Sequence, residues 1–214
     1  MNKMIIKALT FVAIMLIPWY GNSANAQNTV NGHEYVDLGL SVKWATCNVG
    51  AEKPYYDGNQ YLWGRTYDVK ARDKDYKKKD CYTWKRYIED YTGWSTCDVA
   101  TYKWGSPWRT PTIEEIKELF YNCTFEYKKG PYGGILLTSK RNGATLFLPY
   151  GRCTVPKGYE HTEGVSGWYW SSTPHPNDTE KAYLLWFDFQ AGQIALHHGY
   201  TYRYFGCFVR PVTD

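Results

Sequence analysis

Six cysteines, one adjacent pair of histidines, one of serines, and two arginines set beside apolar or aromatic residues are the groups through which this sequence could do chemistry. The cysteines are Cys47, Cys81, Cys97, Cys123, Cys153 and Cys207. No two have the C-x-x-C or Cys/His spacing that gathers zinc, and no neighbouring sequence marks one as an activated thiolate. An even count permits up to three disulfides among fifteen pairings in an oxidising compartment. Buried free thiols are the alternative, since a chain of this length folds without staples. His197 and His198 are the adjacent histidines, and neighbours on a strand point to opposite faces, which makes them poor joint metal ligands. Ser171 and Ser172 lack the G-x-S-x-G setting of a nucleophile, and H-E-x-x-H, P-loop and dinucleotide glycine patterns are absent. The reading is therefore no catalytic residue, no metal and no cofactor.

The excess lies in rings, with 10 Trp and 21 Tyr among 214 residues. Their polar tips need partners when buried, which favours half-buried positions, and rings exposed among polar groups stack on sugars or peptides. Tyr200, Tyr202, Arg203 and Tyr204, with Trp168 and His198 nearby, form the candidate ligand face; the competing reading is that these rings only cover the end of a sheet. Arg109 and Arg210 read as structural, their guanidinium groups on backbone carbonyls and stacked on rings. Trp108, Trp170 and Ser171 read as scaffold.

The elements that must position these residues are legible in outline. Residues 34–46 alternate as two short strands around Gly39. Residues 48–59 form a loop leading to the patch Tyr61-Leu62-Trp63-Gly64. Residues 65–96 form a charged insert, with six basic and four acidic residues between Asp68 and Asp80, and read as a solvated loop whose rings lie against the domain. An amphipathic helix is expected over about 110–122, capped by Thr110 ahead of Pro111 or by Thr112 paired with Glu115. Its apolar face is Ile113, Ile116, Leu119 and Phe120. Tyr132-Gly133-Gly134 reads as a turn. Residues 135–139 and 144–148 make a hairpin about Asn142-Gly143. Residues 167–173 make an aromatic strand, taken as the central strand of the core, with Tyr169, Trp170, Phe187 and Val209 buried. Residues 182–189 and 193–197 form a second hairpin, residues 200–205 an aromatic loop, and residues 207–212 a final strand with Pro211 at its end or edge.

Residues 1–26 read as a signal peptide: Lys3 and Lys7, an apolar run from Ile5 to Ile17, and the small-residue site Ala24-Asn25-Ala26. The run is too short to cross a bilayer and no second one follows, so no transmembrane segment is expected after cleavage. Residues 27–214 then form one domain, which is exported and periplasmic, outer-surface or extracellular. The formal charge of +4 includes Lys3 and Lys7, and the small remainder gives no electrostatic reason to bind nucleic acid.

One series of segments resembles a known family. Asp37-Leu38-Gly39-Leu40, Trp44-Ala45-Thr46-Cys47-Asn48-Val49-Gly50, Tyr61-Leu62-Trp63-Gly64, Trp108-Arg109-Thr110-Pro111-Thr112, Asn142-Gly143 with Phe147-Leu148-Pro149, Tyr169-Trp170-Ser171-Ser172-Thr173 and Val209-Arg210-Pro211-Val212 occur in that order. This order resembles the Fibrobacter succinogenes major paralogous domain over nearly the whole processed chain, with the insert at 65–96 as the main departure. The family occurs in exported proteins of Bacteroidetes-like bacteria. It is similar in turn to the C-type lectin fold shared with formylglycine-generating enzymes and the variable proteins of diversity-generating retroelements. The resemblance implies an α+β domain with a C-type-lectin-like fold, in which small antiparallel sheets, a packed amphipathic helix and long irregular loops combine. It leaves the activity unassigned. The expected function is a non-catalytic recognition domain for a glycan or protein ligand. No calcium ligand cluster is apparent, so calcium-dependent sugar binding is not expected. The alternatives are an enzyme related to the formylglycine generators, with Cys153 or Cys207 as its thiol although that family's cysteine motif is missing, and a structural component of a cell-surface assembly.

Overall fold

The computed structural model describes residues 28–69, 92–151, 153–156, 165–190 and 193–214. The leader expected at 1–26 and most of the charged insert lie outside the described residues. The bend expected at Gly39 separates β2 (His33–Val36) from β3 (Lys43–Ala45). With β1 (Thr29–Val30) and β10 (Val212–Thr213) they form an antiparallel sheet in the order β1-β2-β3-β10. Trp44 pairs with Val36 on one side and Val212 on the other, so the sheet joins the beginning of the domain to its end.

Helix α2 (Ile113–Asn122) starts at Thr112, not Thr110: the Thr112 side chain accepts from the Glu115 N–H while Glu115 reaches back to the Thr112 N–H at 2.8 Å. Ile113, Ile116 and Leu119 are buried, and Glu114 and Lys117 pair on the outer side. Thr110 is committed elsewhere. Its N–H and hydroxyl both donate to the buried carboxylate of Asp98, the N-cap of a short helix, α1 (Val99–Trp104), which is not among the expected elements. The cap residue Asp98 ahead of Val99-Ala100 was the available signal.

Strands β4 (Cys123–Lys128), β5 (Gly134–Ser139) and β6 (Thr145–Pro149) form a second antiparallel sheet. The last two are the hairpin expected about Asn142-Gly143, and Ile135 and Leu137 face Leu148 and Leu146. The third sheet holds β7 (Val165–Pro174), β8 (Lys181–Gln190) and β9 (Gln193–Tyr202). The strand with alternating faces divides the interior into two cores. Tyr169, Leu185, Phe187 and Leu196 point toward α2 and the second sheet. Trp170, Leu184 and Ala182 point toward Tyr61, Trp63, Val99, Cys207 and Val209. Tyr169, Trp170, Phe187 and Val209 are all buried, as expected.

Three expectations need correction. The middle strand of this sheet is β8; the outer edge of β7 is covered instead by Phe208, whose N–H donates to the Trp168 carbonyl and whose carbonyl accepts from Trp170. The aromatic run beginning at Tyr200 continues β9 as far as Tyr202, because Tyr200 and Tyr202 pair with Tyr183 and Lys181. Residues 207–212 are not one strand: Cys207 bridges Tyr61, Phe208 bridges Tyr169 and Val212 bridges Arg109. The segment changes partner at nearly every step, so no continuous ladder forms. Small antiparallel sheets with two helices make an α+β arrangement among the described residues, and no helix there is long and apolar enough to cross a membrane.

Candidate functional site

The face expected around residues 200–204 does not assemble. Arg203 and Tyr204 are fully buried. The Arg203 guanidinium lies 4.1 Å from the Trp63 ring centre and its Nε donates to the Lys181 carbonyl at 3.0 Å, while Tyr204 stacks under Tyr202 at 4.9 Å. Tyr202 is half-buried. Tyr200 alone among the four is well exposed, at 53%, edge-on to His175 at 4.5 Å. Trp168 stacks on Trp186, which stacks on His197. His198 lies on the opposite face of the sheet, against Phe120 and Tyr121 of α2. The six residues are therefore spread over the interior and two faces. Strand alternation and core burial disperse what the sequence order groups together.

Trp108, Trp170 and Ser171, read as scaffold, are all buried. Trp108 donates from Nε1 to the Val30 carbonyl at 2.8 Å. Trp170 donates to the Tyr61 carbonyl at 2.8 Å, and Ser171 donates to the Tyr183 carbonyl at 3.0 Å. Arg109 differs from expectation. Its partners are carboxylates, a two-pronged contact with Glu115 at 2.9 and 2.6 Å and one with Asp214, which hold it charged by raising its pKa.

Arg210 meets backbone carbonyls as expected, and its surroundings lead to a different site. Its Nη1 donates to the carbonyls of Ala45 and Thr46, and its Nε donates to Asn48 Oδ1 at 2.7 Å. Tyr169 donates its hydroxyl to the Pro149 carbonyl and also reaches Asn48 and Arg210. Complete burial pushes the Tyr169 phenol up to about 12, with the Arg210 charge opposing. Four of the ordered motifs thus meet in one buried polar cluster: Asn48, Pro149, Tyr169 and Arg210. From it Asn48 Nδ2 donates to the Asp57 carbonyl at 2.8 Å and pins the loop at 51–59.

That loop carries a hydrogen-bonded turn, Lys53-Pro54-Tyr55-Tyr56, closed by the Tyr56 N–H on the Lys53 carbonyl at 3.0 Å. Gly130-Pro131-Tyr132-Gly133 repeats the construction, closed at 3.1 Å. Proline at the second turn position fixes the backbone angle φ that the turn needs, and in each turn a tyrosine follows it. The two turns face one another. Tyr55 lies 4.8 Å from Tyr132 and 4.9 Å from Tyr56, and Tyr56 lies 5.9 Å from Tyr132, all with inclined rings. Together with Asp57 and Tyr150 they line an open depression of about 210 Å³. Tyr56 and Tyr132 are 37% and 57% exposed, so the rim is open to solvent.

Local backbone rules keep this rim in place. Gly58 has φ +74, and a Cβ there would lie 2.8 Å from the Val49 carbonyl. At Gly133 a Cβ would meet the Tyr150 ring at 2.4 Å, so glycine lets Tyr150 pack beneath the second turn and donate to the Gly130 carbonyl at 2.8 Å. These tyrosines lie on the loop expected at 48–59 and the turn expected at 132–134, and are not among the residues expected to meet a ligand. The repeated Pro-Tyr at turn centres was the signal, because a turn projects its central side chains outward.

Among the described residues no thiol is fully exposed. Cys123, Cys153 and Cys207 are buried, and Cys47 and Cys97 are half-buried. Burial pushes the Cys123 thiol up to about 11, with Lys140 opposing. It likewise pushes Cys207 well above its ordinary value, the reverse of what a thiolate nucleophile needs. Among the described residues no group of three or more His, Cys, Asp or Glu side chains is placed to hold a metal. No protein-family profile, curated protein or solved structure matches the chain.

Proposed function

We propose that this chain is an exported, non-catalytic recognition domain of C-type-lectin-like fold that binds a glycan at the rim formed by Tyr55, Tyr56 and Tyr132. The observation that carries this reading is the convergence of two Pro-Tyr turns on one open, tyrosine-walled depression that Asp57 also lines. Inclined phenol rings stack on the apolar face of a sugar, and a carboxylate and hydroxyls accept and donate to its hydroxyl groups. The ordered motifs that resemble the Fibrobacter succinogenes major paralogous domain support the fold and the export. Four of them supply the cluster that fixes the rim. Raised thiol pKa values weigh against the enzyme alternative.

A glycan array probed with the processed chain, beside its Tyr56→Ala variant, tests the reading. Expected are one or a few related sugars retained by the unsubstituted chain and lost by the variant. An array blank to both leaves a protein ligand or an assembly role as the better account, and hits unaffected by Tyr56→Ala move the site elsewhere.

A further inference from the structure

We propose that Cys153 and Cys207 close into a disulfide that staples the segment after the second sheet to the final core segment. The backbone places them for it. Thr154 and Gly206 exchange both N–H···O bonds, at 2.9 and 2.7 Å, and form an antiparallel bridge. One step out along each chain, Cys153 and Cys207 face each other as a pair without hydrogen bonds between them. The N–H and carbonyl of Cys207 are turned the other way, to Tyr61, at 3.1 and 2.8 Å. In such pairs the Cα atoms approach to about 4.5 Å with side chains on the same face, inside the range a disulfide spans. The two thiols are in hydrogen-bonding contact, and both belong to the core that also holds Trp170 and Val209.

Both side chains are nearly inaccessible, at 4% and 0%, so the bond forms while the chain folds and before the core shuts. A thiolate of one cysteine attacks an incoming disulfide, such as glutathione disulfide or that of a disulfide oxidoreductase, and one thiol leaves. The second cysteine then displaces the other. One sulfur–sulfur bond forms and one breaks, and two protons and two electrons pass to the carrier, which departs as two thiols. Once closed, the bond is shielded by the same burial from reduction. The inference goes beyond the recognition reading and does not depend on it, because the redox equilibrium can be set in a defined buffer.

The chain without its leader is refolded in a glutathione redox buffer, quenched by alkylation under denaturing conditions, digested without reductant and mapped by mass spectrometry. Expected is a cross-linked peptide joining Cys153 to Cys207, with Cys47, Cys97 and Cys123 alkylated. Reduction should lower Tm by roughly 10 °C, the scale for a loop of this length in a domain of this size. Alkylation of both Cys153 and Cys207, or a link from either to another cysteine, overturns the proposal. Because the map is made on the unsubstituted chain, it does not depend on any cysteine variant folding.

Discussion

Two aromatic regions of this molecule hold similar residues and differ in what surrounds them. In the region of Tyr200 to Tyr204, a strand end leads straight into the core segment, and successive side chains are pulled to Trp63, to Tyr202 or into the interior. At the rim, Tyr55 and Tyr132 occupy the centres of proline-fixed turns. The backbone itself is held from beneath by Asn48 and Tyr150. The rings there contact one another, yet Tyr56 and Tyr132 stay exposed. Aromatic content alone does not separate a packing cluster from a binding surface; the backbone element that presents each ring does.

The contrast can be broken by substitution, most severely in the packed region. Tyr204→Ala should cost about 3–5 kcal/mol in denaturant unfolding, the usual penalty for removing a buried ring. A cost below about 1 kcal/mol would return Tyr204 to the list of ligand residues. Arg210→Lys comes next. The lysine keeps the charge but not the planar fork that serves Ala45, Thr46 and Asn48, and about 2–3 kcal/mol should be lost. If Arg210 acts through Asn48 on the rim, hydrogen exchange at residues 55–58 should quicken in the variant more than exchange in α2. The smallest stability effect is expected at the rim: Tyr132→Ala should stay within about 0.5 kcal/mol of the parent while weakening glycan binding tenfold or more, measured by titration calorimetry.

Much of the framework was legible because local signals and burial agreed. The Thr112–Glu115 box, the Asn142-Gly143 hairpin and the buried Tyr169, Trp170, Phe187 and Val209 all follow from capping, turn chemistry and alternation. Arg210 was legible as structural for the same reason. What escaped was tertiary. No local pattern tells that Phe208 covers the edge of β7, that Asp98 gathers donors from Gly93, Ala100, Thr101 and Thr110, or that two turns some 77 residues apart in the chain bring Tyr55 and Tyr132 to 4.8 Å. The ligand face expected at Tyr200 to Tyr204 falls where aromatic residues are dense in sequence, and that density reflects the packing of a strand end.

The proposed ligand site is the pair of Pro-Tyr turns and not the strand end at Tyr200 to Tyr204. The direct measurement is an amide-resolved NMR titration of the processed chain with a sugar retained on the array. The largest shift changes are expected on residues 55–58 and 130–133, with Tyr200 to Tyr204 unmoved. Shifts concentrated at Tyr200 to Tyr204, with the rim unchanged, would contradict it.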